Sequence, residues 1–279
     1  MADALDVASV RKDFPIFDAH PGLHYLDSAS SSQKPNAVLD AMQTYYETTH
    51  ANVHRGVYTI AEEATNALEA SRGKVRRFIG AGNDAEIVFT KNATESLNLV
   101  VGSWGRANLT EGDVVVLTHM EHHANVVPWQ ILQRERGIEI RWIPLDGEGR
   151  LDLTDLDRLL DGAKAIGVTA MSNVLGTFNP VRTLTDAARA HGAVSVVDGC
   201  QSVPHSTTGV QALGADFLAF SAHKLCGPTG IGVLYGRQEL LEAMPPFLGG
   251  GEMIRDVSVD GFTTNDLPWK FEALSLIHI

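Results

Sequence analysis

Asp216-Phe-Leu-Ala-Phe-Ser-Ala-His-Lys224, followed by the turn Gly227-Pro-Thr-Gly230 and the run Ile231-Gly-Val-Leu-Tyr235, sets one lysine between two apolar stretches. The apolar runs suit strands and the Gly/Pro segment suits a turn, so this part of the chain reads as a strand-turn-strand unit with Lys224 near its bend. Apolar neighbours penalise an ammonium, and an uncharged amine is what can attack a carbonyl and form a Schiff base. Lys224 is therefore a candidate covalent anchor; the alternative is an ordinary surface lysine in a hairpin. Residues upstream decide between the two.

Working outward from this unit, the chain alternates strand and helix patterns. Strands are expected at 86–90, 114–118, 138–143, 165–171 and 194–198, besides the runs at 216–220 and 231–235. Helices are expected at 35–50, 59–79, 96–104, 153–160, 185–191 and 238–244, and a short one within the first 20 residues. Gly80 closes the helix at 59–79. This order predicts an α/β fold: a mostly parallel sheet with helices on both faces. Ligands in such sheets gather where strands end.

Several residues stand at those strand ends. Thr94, after Asn92, opens a helix that follows a strand; free N–H groups and the dipole make such a place an anion site, and Thr94 or Asn92 can equally be a plain N-cap. His119-Met-Glu-His122-His-Ala-Asn125 carries three histidines and a glutamate, but the spacing matches no known zinc pattern; one imidazole at a strand exit is the better reading, and no metal is expected. Asn173 lies at a similar exit. Asp198 ends a Val-rich strand, where a carboxylate is costly unless it meets a cation or a protonated ring nitrogen. His54 and Arg55 form either a substrate-binding loop or a solvated turn. The small residues from Ser28 to Ser32 permit close approach of a ligand. Gly227, Gly230 and Gly232 are not a dinucleotide fingerprint, since they do not open a helix.

Composition excludes some functions. The chain has 279 residues, 44% of them hydrophobic, enough for one large core. Its 22 basic and 34 acidic residues give a net charge of -12, which opposes binding to a phosphate backbone, so nucleic acid is not an expected partner. Two cysteines, Cys200 and Cys226, do not make a disulfide framework and point to a reducing cytoplasm. The acidic start lacks the basic flank of a signal peptide, and no apolar run approaches the ~20 residues of a membrane span.

A pyridoxal phosphate site needs a Schiff-base lysine, a carboxylate for the pyridinium nitrogen, a phosphate cradle and groups to hold the ring oxygen. Lys224 and Asp198 answer the first two, and Thr94, Ser221 and His223 offer the third. Longer motifs agree. Tyr25-Leu-Asp-Ser-Ala29 with Gln33-Lys-Pro35, Val53-His-Arg-Gly56, Met120-Glu-His-His-Ala-Asn125 with Val127-Pro-Trp129, Ser172-Asn-Val-Leu-Gly176, Val197-Asp-Gly199 with Gln201, and Ser221-Ala-His-Lys224 with Gly227-Pro-Thr-Gly-Ile-Gly232 belong to a likeness that extends over nearly the whole chain, from about Leu23 to Glu272. Together they resemble the class V aminotransferase group of fold-type I pyridoxal phosphate enzymes, most closely the SUF-type (group II) cysteine desulfurases.

The resemblance implies that Lys224 bonds the cofactor, Asp198 pairs its ring nitrogen, and His122 stacks on the ring and moves protons. It implies that Asn173 and Gln201 hold the ring oxygen, that Thr94, Ser221 and His223 bind phosphate, and that His54 and Arg55 face the substrate. The implied reaction converts L-cysteine to L-alanine and passes the sulfur, as a persulfide, to an acceptor protein for iron-sulfur cluster assembly, by a cytoplasmic homodimer. Selenocysteine lyase or another class V lyase, and a non-catalytic truncated subunit, are the alternatives. The domains expected are an N-terminal arm at 1–20, a large cofactor-binding domain at 21–273 and a tail at 274–279 foreign to the family. After Ala273 the family's Gly-Thr-Pro-Asn turn is replaced by Leu274-Ser-Leu-Ile-His-Ile279, so the small C-terminal domain, with its nucleophilic cysteine and substrate-clamping arginine, is expected to be absent and this chain inactive alone. Cys200 and Cys226 stand away from the place of that nucleophile and read as packing residues.

Overall fold

Short Val-, Ile- and Leu-rich runs form strands, and those with few charges are covered on both faces. In the computed structural model, which describes residues 5–54 and 56–273, β1 (Ile87–Thr90), β2 (Val114–Thr118), β3 (Glu139–Ile143), β4 (Ala163–Thr169), β5 (Val194–Asp198), β6 (Phe217–Ser221) and β7 (Gly232–Gly236) make one sheet, ordered β3-β2-β4-β5-β6-β7-β1. β2 lies parallel to β3 and β4, β4 to β5, and β5 to β6. β7 is antiparallel to both β6 and β1, so it alone opposes the other six strands. The expected strand-turn-strand unit is thus the β6–β7 pair.

The helices are α1 (Val7–Lys12), α2 (Ile16–Ala19), α3 (Asn36–Thr44), α4 (Thr59–Ile79), α5 (Ala93–Leu99), α6 (Arg106–Asn108), α7 (Val127–Arg136), α8 (Leu156–Leu160), α9 (Val181–Ala190), α10 (Ser202–His205), α11 (Val210–Leu213) and α12 (Gln238–Ala243). Alternate strand residues enter two cores. Val114 and Val116 pack with Leu68 of α4, Leu160 of α8 and Leu184 of α9 in one. Val115 and Leu117 pack with Leu97 of α5, Trp129 of α7 and Leu241 of α12 in the other. That division puts helices on both faces of the sheet.

Where the elements depart from expectation, packing decides. β4 ends at Thr169, not 171, because the chain turns back: Asn179 N donates to Ala170 O at 3.0 Å and Ser172 N to Thr177 O at 3.0 Å. Asn173 therefore sits in a turn beyond the strand. α9 starts at Val181, four residues before the expected 185, because Val181 and Leu184 are buried and override the weak propensity of Arg182-Thr-Leu-Thr185. α5 starts at Ala93 rather than 96, capped by Asn92, whose Oδ1 accepts from Glu95 N at 2.9 Å. It then widens into a π-helical segment, Val100–Gly105, where a Cβ on Gly102 would lie 2.9 Å from the Phe247 ring. α3 likewise gives way to a π-helical segment at Tyr45–Thr49, and α8 begins at Leu156 rather than 153. A hairpin of β8 (Ile254–Ser258) and β9 (Gly261–Thr264) has no counterpart in the sequence-based expectations. The first helices join the body through Asn36 N to Asp13 O at 2.6 Å. Arg55 and the tail 274–279 lie outside the described residues.

Candidate active site

Five strand ends converge on one cavity of about 400 Å³. From the exit of β1 come Asn92, Ala93 and Thr94; from β2, His122 and Ala124; from β4, Thr169, Met171 and Asn173; from β5, Asp198, Cys200 and Gln201; from β6, Ser221, His223 and Lys224. Ala29 and Ser30 of the small-residue loop complete the wall. Thr94, His122, Asn173, Asp198, Gln201, Ser221, His223 and Lys224, singled out from sequence, all border this space.

Asp198 is only 3% exposed, and its strand pairs directly with β6, Asp198 standing opposite Ala219. Its Oδ1 accepts the Cys200 N–H at 2.9 Å, and the Cys200 thiol also hydrogen-bonds to the carboxylate. Lys224 ends the 3-10 turn Ala222–Lys224 that leads out of β6. The apolar enclosure expected around Lys224 is not what is found: the residue is half-buried, in a cavity walled by polar groups. The reason is that it lies beyond the strand, where the sheet's apolar faces have ended.

Loop 28–34 is strapped onto this turn. The His223 carbonyl accepts from Ser32 N at 2.8 Å and Ser32 Oγ at 2.9 Å, while Ser32 Oγ accepts from Cys226 N at 2.7 Å. Gln201 Nε2 donates to Ala29 O at 2.7 Å, so the same loop is held from β5 as well. On the other side, Ser221 Oγ accepts from Ala93 N at 2.8 Å and joins β6 to the start of α5. Within that first turn Glu95 N is taken by Asn92, leaving the Thr94 amide without a protein acceptor among the described residues.

His122 caps the 3-10 turn His123–Asn125: its Nδ1 accepts from Ala124 N at 3.1 Å, so the single proton of the neutral ring belongs on Nε2. Burial lowers the pKa of His122, Lys224 and His123 lower it further, and Asp198 opposes them. His223 is also lowered, by burial and then by Lys224 and Lys34; its Nδ1 lies 3.3 Å from Ser31 Oγ. Of the three neighbouring histidines, His119 packs on Trp142 with centroids 5.4 Å apart, His123 lies beside His122 with centroids 5.9 Å apart, and His122 is the one that lines the cavity.

His54 is not brought to the cavity wall of this chain. It takes a left-handed backbone (φ 62°), its N–H donates to Thr65 Oγ1 at 2.9 Å, and its Nε2 lies 3.4 Å from Glu69 Oε1 beside Trp269. Cys200 lies on the wall with its thiol pKa pushed well up, first by burial and then by Asp198, which makes it a poor nucleophile. Cys226 is half-buried and does not line the cavity.

Glu121 was legible only as part of the histidine cluster, and its role could not be read there. It accepts from Thr118 Oγ1 at 2.6 Å, Asn125 Nδ2 at 2.7 Å and Thr169 N at 2.7 Å. Burial pushes its pKa up to about 7 against those three donors, with Asp198 adding to the rise. Thr169 and Ala93 on the cavity wall carried no sequence signal beyond standing at the end of a strand and the start of a helix.

Residues 24–276 match the Aminotransferase class-V family. The chain is 51% identical over 278 residues to a probable cysteine desulfurase of Streptomyces coelicolor, with 96% of this chain and 66% of that protein aligned. It superposes on the apo structure of the cysteine desulfurase from Thermococcus onnurineus with a TM-score of 0.93 at 44% identity, covering 100% of this chain and 69% of that one. For the cysteine desulfurase CsdA (S-sulfonic acid) from Escherichia coli the TM-score is 0.90 at 41% identity, covering 99% and 69%. The chain thus spans about two thirds of the length of these relatives.

Proposed function

The chain belongs to the class-V aminotransferase family, among relatives that are cysteine desulfurases, and from that premise we propose that its cavity holds pyridoxal phosphate and that the chain is the cofactor-binding part of a cysteine desulfurase. The observation that carries this reading is that Asp198 and Lys224, at the exits of adjacent parallel strands, border one cavity. The residues fit the group. A buried carboxylate on the cavity wall suits a protonated ring nitrogen, and a half-buried amine suits covalent attachment to an aldehyde.

In this reading Lys224 holds the cofactor covalently and Asp198 holds its ring nitrogen. His122 covers the ring; Asn173 and Gln201, which keeps a second N–H after donating to Ala29 O, hold the ring oxygen. The Thr94 amide and hydroxyl, Ser221 Oγ and His223 bind the phosphate. Pyridoxal phosphate, when bound, supplies an electron sink that stabilises carbanion character at a substrate α-carbon. The chain's own part is to place proton carriers there: the Lys224 amine, and His122, whose Nε2 holds the proton while Nδ1 is occupied.

L-cysteine as substrate, L-alanine as product and delivery of sulfur to an acceptor for iron-sulfur assembly belong to the same proposal. Neither Cys200 nor Cys226 is suited to take up the sulfur, so the chain alone is proposed to be inactive. A cytoplasmic homodimer is the proposed setting. Among the described residues no helix is long and apolar enough to cross a membrane.

Purified chain mixed with pyridoxal phosphate should develop visible absorbance that Lys224→Ala abolishes; a colourless wild type ends the cofactor assignment. Alanine release from L-cysteine and from L-selenocysteine, measured on a form extended to its relatives' full length, then separates desulfurase from selenocysteine lyase.

A further inference from the structure

We propose that Glu121 is a positioning residue for His122, clamping the loop that carries the imidazole to the ends of β2 and β4. Its Oε1 accepts from Thr118 Oγ1, at the end of β2, and from Thr169 N, at the end of β4; its Oε2 accepts from Asn125 Nδ2, in the turn just after His122. Three donors from three separate elements therefore meet one carboxylate, and that carboxylate is the next residue to His122. Such convergence gives the group few ways to move without breaking several bonds.

The loop is closed on itself by further bonds. Asn125 N donates to His122 O at 2.8 Å, Ala124 N to His122 Nδ1 at 3.1 Å, and Met120 N to Thr118 Oγ1 at 3.1 Å. Asn125 is 1% exposed, with Oδ1 3.5 Å from Trp129 Nε1. These contacts fix the loop's shape, while Glu121 ties that shape to β4, whose Thr169 also borders the cavity. All three partners are donors, so the arrangement asks for an acceptor-only group, which is a carboxylate. A glutamine keeps the size but presents N–H to the Asn125 amide.

The charges that bear on Glu121 and His122 are Asp198 from β5, Lys224 from the turn after β6, and His123 on the same loop. Burial and Asp198 disfavour the carboxylate and the three donors favour it, so Glu121 changes charge at about 7. Hydrogen bonds to a charged acceptor are roughly twice as strong as those to a neutral one. Ionisation of Glu121 therefore tightens the clamp on His122 as the pH rises through neutrality.

Nuclear magnetic resonance titration of the ring-labelled histidines, on the full chain without added cofactor, tests this. The curve for His122 should show its main step below the ordinary 6.5 and a second inflection near pH 7. Glu121→Gln should abolish the second inflection, and Thr118→Val, which removes one donor, should move it upward. Glu121→Ala should also shift the main step back toward 6.5; if that variant does not fold, the other two carry the test. A second inflection that survives Glu121→Gln, or a wild-type curve without one, overturns the proposal. The importance of His122 rests on the pyridoxal phosphate reading, but the titration needs no cofactor, so a failure here and a failure to bind cofactor are separate results.

Discussion

Arg72 and Glu272, 200 residues apart, form a two-pronged pair in which Nη1 reaches Oε1 at 2.7 Å and Nη2 reaches Oε2 at 2.9 Å. Both are buried, at 0% and 8% exposure. Arg72 Nη1 also donates to Ile87 O at 2.8 Å, and Glu272 Oε1 accepts from Phe89 N at 2.7 Å, so the pair joins α4, β1 and the last turn of the described chain. Burial works against the Arg72 charge, but Glu272 and then Glu69 more than restore it, raising its pKa. Removing Glu272 leaves the buried Arg72 with Glu69 as its one remaining carboxylate partner among the described residues, so the loss should lie at the lower end of the about 3–5 kcal/mol typical of a broken buried pair. Glu272→Ala should lower the unfolding free energy obtained from urea melts by that order, and an unchanged value would contradict this account of how the last turn is held.

The pH dependence of stability contains two opposed contributions. His122 and His223 have lowered pKa values, so near and below 6.5 the unfolded chain binds more protons than the folded one, and stability falls as the pH falls through that range. Glu121 is raised from 4.5 to about 7, so between these values the folded chain holds the extra proton; this contribution is full below 4.5 and is lost as the pH rises through about 7. Denaturant melts of wild type and Glu121→Gln across pH 4.5 to 7.5 should therefore diverge, the wild type losing ground to the variant as the pH rises. Parallel curves would show that Glu121 does not titrate in this window.

Much of this was legible because it is local. Val114-Val-Val-Leu-Thr118 and Val194-Ser-Val-Val-Asp198 have the bounds expected of them, since short Val-rich runs specify buried strands without help from the rest of the chain. The 59–79 helix likewise carries its own apolar stripe and its own Gly80 stop, which takes φ 66°. Asp198 was conspicuous for the same reason, as a charge at the end of an apolar run. The exposed β8–β9 hairpin lacks a buried face and leaves no such pattern. The clamp on Glu121 and the bond from Gln201 to Ala29, 172 residues away, depend on which strand ends become neighbours. No local pattern encodes that.

Ser32 tests whether the strap over the lysine turn matters to the site. Its hydroxyl donates to His223 O and accepts from Cys226 N, and the residue is 9% exposed. Ser32→Ala leaves the Cys226 N–H without that acceptor, a loss of about 1–3 kcal/mol. The expected outcome is a several-fold rise in the dissociation constant for pyridoxal phosphate with little change in far-ultraviolet circular dichroism. Unchanged cofactor affinity would mean that the turn holds Lys224 without the strap.

Asp198→Asn keeps the size of the side chain and removes its charge. A hydrogen bond to a charged partner contributes about 1.5–3 kcal/mol, so cofactor affinity should fall by about one to two orders of magnitude. Equilibrium titration of the visible band against free pyridoxal phosphate measures it. Equal affinity in both proteins would remove Asp198 from the cofactor site while leaving Lys224 in it.

Gly232 places β7 against the start of α5, and the contact admits no side chain. A Cβ built there would lie 2.4 Å from both Cα and C of Asn92, which are backbone atoms and cannot rotate away. Asn92 caps α5, and the next two residues supply the Ala93 N–H to Ser221 and the open amide of Thr94. Gly232→Ala must therefore push the start of α5 off the sheet or pull β7 away from Thr90 and Ser221, its partners in register. Either movement disturbs the proposed phosphate end of the cavity before it reaches Asp198 or Lys224. The variant should lose affinity for inorganic phosphate and pyridoxal phosphate together, and its melting temperature should fall by several degrees. Wild-type affinity for both ligands would show that the close approach at Gly232 is not what shapes the start of α5.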